Sequence, residues 1–201
     1  MGLTLDDKVM LFKERNLAIV TTKNGAALVS SAKSLTYNIF NTILNYCRGG
    51  VTMVVMSKDR AVSFGLDAPP QKNNTFDSND FYTTVDAKVG ISTGISVKDR
   101  VITINILGGD ELSPDLLAKP GHVFPVVTAN GGVMSRPALP EAAQDLVNFA
   151  GMGEVAVCME LLDDTGSLLS PQQQLELANI LNLPYFTLQE VVALREEAKN
   201  T

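Results

Sequence analysis

The sequence predicts an α/β fold with a mixed sheet. Three observations carry this. Apolar runs short enough to be strands alternate with segments of helical periodicity along the whole chain. Two of those runs, Val51 to Met56 and Val155 to Leu162, are almost wholly apolar, as expected of strands covered on both faces. Cap and stop residues punctuate the helical segments at the expected places. At 201 residues the chain is the size of one domain, taken here as residues 1–201, with no repeat and no linker.

Leu5 to Arg15 reads as a helix behind a Thr4 cap, with Leu5, Val9 and Phe12 near one face. The run from Leu17 to Thr22 is a strand. Lys23, Asn24 and Gly25 signal a turn, and Ala26 to Ala32 supplies the returning strand. Ser34 or Thr36 opens a helix through Arg48, whose stripe of Ile39, Phe40, Ile43, Leu44 and Cys47 is a core face, and Gly49-Gly50 stops it. From Ala61 to Asp80 the chain is turn-rich, with Pro69-Pro70 and Asn73-Asn74, and reads as a surface excursion. Phe81 to Lys88 alternates like a strand. Ser96 and Asp99 form a start signal for a helix through Leu107, ended by Gly108-Gly109. A strand lies within 120–128, a turn at Asn130-Gly-Gly, a helix over 140–150 and a turn over 163–166. Ser170, Pro171 and Gln173 open a helix to Ile180. Tyr185-Phe186 is a short strand, and Thr187 with Glu190 caps the last helix.

Composition narrows the function. Acidic residues outnumber basic ones 22 to 16, for a net charge of −6, and no basic run occurs, which argues against nucleic acid as a partner. No apolar run is long enough to cross a bilayer, and the polar, acidic start is unlike a secretory leader, so no membrane partner is expected. Cys47 and Cys158 stand far apart with no Cys-x-x-Cys, which fits small buried reduced thiols and a cytoplasmic location.

Four stretches carry a resemblance: Thr93-Gly-Ile-Ser-Val-Lys-Asp-Arg100, Lys119-Pro-Gly-His-Val-Phe-Pro125, Gly131-Gly-Val-Met-Ser-Arg136 and Glu160-Leu-Leu-Asp-Asp-Thr-Gly-Ser167. In order and spacing the chain resembles the 3,4-dihydroxy-2-butanone 4-phosphate synthase family, a riboflavin-pathway lyase. The resemblance implies a three-layer α-β-α fold and a homodimer with sites at the dimer interface. It implies conversion of ribulose 5-phosphate to formate and a four-carbon ketone phosphate, with magnesium as the usual cofactor.

The chain also departs from that family. The resemblance would place an acidic loop, of the form D-x-x-x-R-E-x-E-G-D, after the first strand. Here that place reads Val20-Thr-Thr-Lys-Asn-Gly-Ala-Ala-Leu28, and no Asp or Glu occurs between Arg15 and Lys58. Leu139 and Pro140 replace the histidine and threonine of R-x-G-H-T-E-A, and Met53 replaces a cysteine. Magnesium takes oxygen ligands, chiefly carboxylates and water, so no metal ligand and no cofactor is expected in this chain.

What remains is a set of candidate residues. Glu160 ends an apolar strand, where a carboxylate is costly unless paired or used. It matches a family active-site glutamate and is the leading acid/base candidate, with a buried partner for Arg136 as its plain alternative. His122 is the only histidine and the second catalytic candidate, set against a structural imidazole. Arg136 matches the family's phosphate-binding arginine and suits an anion, against a surface ion pair. Thr93, Gly94 and Ser96 form a turn at a helix start that could cradle an anion, against simple capping by Ser96. Asp99 completes that cap, with Arg100 as its pairing partner, and Glu141 supplies helix N-terminal charge. Tyr82 stands where the family has a smaller threonine and would reshape the pocket. Three readings follow: a repurposed, metal-independent enzyme acting on a small phosphorylated or carboxylated molecule; a non-catalytic small-molecule-binding or interaction protein; and an active synthase with a metal site rebuilt from Asp77, Asp80 or Asp86.

Overall fold

The computed structural model describes residues 2–48, 50–68 and 80–198. Helix α1, Leu5–Arg15, starts in a capping box between Thr4 and Asp7, and Asn16 ends it in the left-handed region. Strands β1 (Ala18–Thr22) and β2 (Gly25–Ser31) form the expected hairpin, with Thr22 opposite Gly25. Helix α2 (Tyr37–Tyr46) is capped by Thr36, and β3 (Met53–Met56) follows. Helix α3 (Lys58–Ser63) corrects the sequence reading of the next segment as an excursion from Ala61. Ser57 caps it, and Ala61 and Phe64 reach the core. Pro69-Pro70, Asn73-Asn74 and Asp77 lie outside the described residues.

The run from Phe81 to Lys88 is not one strand. It divides into β4 (Asp80–Phe81) and β5 (Val85–Ala87): the Tyr82 N–H still bonds the Pro125 carbonyl in the β4/β6 register, but the Thr83 N–H turns away to the Asp67 carbonyl. Helix α4 (Val97–Gly108) precedes β6 (Leu117–Val127), which begins three residues earlier than the sequence suggests. Then come α5 (Leu139–Phe149), β7 (Ala156–Glu160), α6 (Pro171–Leu181), β8 (Tyr185–Thr187) and α7 (Leu188–Glu197).

The strands form an eight-stranded sheet in the order β4-β6-β3-β7-β2-β1-β8, with β5 also paired to β6. The β3/β6 and β1/β8 pairs are parallel and the others antiparallel, so the sheet is mixed. One apolar cluster fills the face under α2, α3, α4 and α6; it includes Phe40, Ile43, Phe64, Ile104 and Leu177. A second fills the face under α1, α5 and α7, with Phe12, Leu146, Phe186 and Leu194. These are the three layers of an α-β-α fold. The central strands bury both sets of side chains, which explains why β3 and β7 read as continuous apolar runs. Helix α5 is the most enclosed, with Pro140 to Val147 all buried. No described helix is long and apolar enough to cross a membrane.

Candidate functional site

The sharpest polar feature is built by an irregularity in β6. The pairing shifts between Val85, opposite Val123, and Asp86, opposite Ala118, so residues 119–122 bulge from the ladder. Gly121 fits there because a side chain would run into the backbone of Val85, and its N–H donates to Thr84 Oγ1. The bulge brings His122 onto Asp86. The His122 backbone N–H donates to Asp86 Oδ1 at 3.0 Å, and its ring Nδ1 meets Oδ2 at 2.7 Å. Asp86 is buried while the imidazole is 42% exposed, so the ring is held from beneath and open outside. Gly94 closes over the pair in a left-handed conformation, φ 81°. A Cβ there would stand 2.7 Å from His122 Nδ1 and overlap the Asp86 carboxylate.

The turn carrying Gly94 is organised by Asp99. Its Oδ2 accepts from the Ser92 N–H and hydroxyl and from the Gly94 N–H, while Ser96 Oγ accepts the Asp99 N–H as the α4 cap. Burial pushes the Asp99 carboxyl up, but the donors from Ser92 and Gly94 outweigh it and hold the group below its ordinary value. The Gly94 N–H expected to face an anion is therefore used within the turn, and Ser96 is a helix cap. Thr93 is exposed, its hydroxyl accepting from the Ile95 N–H. Arg100 does not pair with Asp99. Its guanidinium donates to Thr52 Oγ1 and lies 5.0 Å over the Phe40 ring. Tyr82 is half-buried against the core under α4.

Glu160 closes β7, half-buried and opposite Ala27 of β2. Register relates it to His122. Met53, the first residue of β3, is opposite both Cys158 of β7 and Phe124 of β6, each two residues from the candidate on its strand. The Phe124 N–H also bonds the Thr52 carbonyl. Gly50 lies against the Glu160 carbonyl. Glu160 and His122 thus stand on the two strands that flank β3 in the sheet. Cys47 and Cys158 are buried nearby, on opposite faces of the sheet. Burial pushes the Cys47 thiol up to about 12 and Cys158 further, with Glu160 adding to both.

Arg136 stands elsewhere. Its Nη2 donates to the carbonyl of Val127, the last residue of β6, five residues or roughly 16 Å of strand beyond His122. Its Nε and Nη2 both reach Glu141 Oε1, at 2.7 and 2.6 Å, and Nη1 donates to Asp80 Oδ2 at 3.1 Å. Glu141 is fully buried, also accepts the Ala129 N–H, and leaves Oε2 without a hydrogen-bond partner. Its role is therefore to hold Arg136, beyond the helix N-terminal charge expected from sequence. Burial disfavours the charge on Arg136, but Glu141 and then Asp80 more than restore it.

The hairpin where the resemblance calls for an acidic loop is tight, and Thr22 Oγ1 closes it through the Gly25 carbonyl and the Asn24 N–H. Leu168, from a turn pinned by Asp163, roofs it: a Cβ on Gly25 would lie 2.9 Å from a Leu168 methyl. Leu139 and Pro140 at the start of α5 offer no ligand. Asp80 and Asp86, the described members of the rebuilt metal site, are committed to Arg136 and His122 and do not converge. Among the described residues, no three His, Cys, Asp or Glu side chains gather as metal ligands would.

Sequence reasoning singled out His122 and Arg136 as candidates but missed the carboxylates that hold them, Asp86 and Asp80. Asp86 was weighed only as a metal ligand, although a lone carboxylate in an apolar β-run is itself a sign of a buried partner. Asp80 carried no such sign; its role depends on a pairing 56 residues away.

Comparison with known proteins gives a consistent picture. The family model for 3,4-dihydroxy-2-butanone 4-phosphate synthase matches residues 12–194. A protein of that name from Haemophilus influenzae (strain PittEE) is 30% identical over 202 residues, 96% of this chain and 94% of its own. One from Haemophilus influenzae (strain 86-028NP) is 33% identical over 175 residues, covering 86% and 80%. A crystal structure of a 3,4-dihydroxy-2-butanone 4-phosphate synthase in complex with two magnesium ions superposes with a TM-score of 0.91 at 24% identity, covering 98% of this chain and 99% of that one. The Candida albicans synthase structure gives 0.84 at 24% identity, covering 96% and 97%.

Proposed function

Since the chain belongs to the 3,4-dihydroxy-2-butanone 4-phosphate synthase family, we propose that it is a divergent member: a cytoplasmic, homodimeric enzyme of one domain that moves protons on a small phosphorylated or carboxylated molecule without resident magnesium. One observation carries this reading. The hairpin at the place of the family's acidic loop is a tight turn under an apolar roof, while the oriented His122–Asp86 pair and Glu160 persist at the end of the sheet.

In this reading Glu160 takes or gives the proton at carbon. His122 serves a second oxygen, its ring orientation fixed by Asp86. Thr93 and Gly94 border the imidazole, and Ser96 fixes their turn. Tyr82 narrows the approach, and Arg136 contributes charge to the ligand. The separation of Arg136 from His122 within one chain supports a site completed across a dimer, where one subunit's arginine would approach the other's imidazole.

A second reading has its own support. Relatives about 30% identical over most of the chain are named as synthases, which favours an ordinary synthase acting on ribulose 5-phosphate with magnesium. One assay separates the two. Purified protein is incubated with ribulose 5-phosphate, with and without magnesium, and formate is followed. The divergent reading expects no formate from a folded dimer; magnesium-dependent formate overturns it. Glu160→Gln then distinguishes catalysis, which it should abolish, from ligand binding alone, which it should leave intact.

A further inference from the structure

The two carboxylates on Arg136 are unlike each other. Glu141 lies on the inner side of the guanidinium, with no exposed surface, and is fixed by the Ala129 N–H as well. Asp80 meets Nη1 from outside, with its side chain 60% exposed. Strand pairing, not chance, places it there. Asp80 is opposite Val127 in the β4/β6 ladder, and the Val127 carbonyl accepts from the same guanidinium. One cation therefore sits between two carboxylates. A phosphate arriving at Arg136 meets an outward nitrogen already bonded to a carboxylate, with a second carboxylate behind it.

We infer that Asp80 is a specificity-determining residue: its carboxylate occupies the anion position on Arg136 and discriminates against phosphorylated ligands. A carboxylate satisfies Nη1 with the same charge-assisted bond that a phosphate oxygen would make. An incoming dianion must displace Asp80 and then endure it as a like-charged neighbour. A singly charged carboxylate ligand bears a smaller repulsion, and a neutral one bears none. The inference rests on the reading of Arg136 as a ligand-facing residue and narrows the ligand from phosphorylated or carboxylated towards carboxylated or neutral. Glu141 cannot play this part, because it has no surface from which to swing aside.

The test uses inorganic phosphate and acetate as probes, titrated by calorimetry at low and high salt into the full-length protein, Asp80→Asn, and the paired variant Arg136→Gln/Glu141→Gln in the Asp80→Asn background. The paired change removes both buried charges together and so keeps the fold testable. Asp80→Asn is expected to tighten phosphate about tenfold, the scale of one modest charge contact, and acetate by less. The gain should shrink at high salt and vanish in the triple variant. If phosphate binds the parent and Asp80→Asn equally, and the triple variant loses it, Arg136 faces ligand but Asp80 does not discriminate, and the inference falls alone. If the triple variant binds phosphate as well as Asp80→Asn does, Arg136 is not ligand-facing and both readings fall.

Discussion

His122 and Asp86 are joined twice, by the histidine's backbone N–H to Oδ1 and by its ring Nδ1 to Oδ2. The two bonds do different work: the first closes the β6 bulge and the second aims the imidazole. Substitutions should separate them. Asp86→Ala removes both and leaves a part-buried backbone donor without its side-chain acceptor, at a cost of about 2 kcal/mol. His122→Ala keeps the backbone bond and should cost about 1 kcal/mol. Urea denaturation of the two variants measures this; equal losses would mean that the backbone bond contributes nothing. Any activity should fall in both, since the ring is missing in one and unaimed in the other.

Arg136 offers a second contrast. Glu141→Ala removes the buried partner of Arg136 and leaves the guanidinium to Asp80 and the Val127 carbonyl, at a cost of roughly 2–3 kcal/mol, short of the loss for a wholly unpaired buried charge. Asp80→Ala removes an exposed partner and should change stability by less than about 1 kcal/mol. Denaturant midpoints at one ionic strength would show the difference. A large loss in Asp80→Ala would mean that Asp80 is part of the scaffold rather than an outer partner.

The thiols should be silent in the folded protein. Cys47 donates to the Met159 carbonyl from a fully buried position, and burial pushes its ionisation up to about 12, with Cys158 moved in the same direction. Thiolate is the reactive form. A chromogenic disulfide reagent at neutral pH should label neither cysteine until denaturant is added, and then both. Rapid labelling of the native protein would show that the core near Glu160 opens readily.

The contrast between what the sequence foretold and what it did not is physical. The helices were legible because their ends are written locally: Thr4 with Asp7, Ser170 with Gln173 and Thr187 with Glu190 lie three residues apart and form the reciprocal caps their spacing implies. Helix α3 was missed because six residues give too few turns for a periodic signal, and its stability comes from burying Ala61 and Phe64. The candidate residues stood out one by one, because a histidine in a Pro-Gly-His turn or a glutamate ending an apolar run is conspicuous. Their partners were not. Asp86 reaches His122 only through the shift in β5/β6 register, and Asp80 reaches Arg136 only through the Val127 pairing. Spacing along the chain does not encode such contacts. The same reasoning explains why Arg100 was misassigned: its neighbour Asp99 was near in sequence, but the helix turns the guanidinium to Thr52 and Phe40.

Asp99 gives a pH dependence with a definite sign. Its carboxylate gathers the donors of Ser92 and Gly94, and their hold outweighs burial, so its folded value lies below the ordinary carboxylate range of about 3.9. A depressed folded value contributes stability that is fully present above the unfolded value. That stability is lost as pH falls through the folded one, because protonation removes an acceptor the turn requires. Asp99→Asn should therefore destabilise the protein at neutral pH and by progressively less below about pH 4, where the parent loses the same interaction. Denaturation of parent and variant across that range measures the difference. A gap that stays constant into acid would show that the turn bearing Thr93 and Gly94 is held by backbone geometry and not by the Asp99 charge. Because that turn covers His122, the variant should also disturb the imidazole, visible as a changed ring chemical shift at neutral pH.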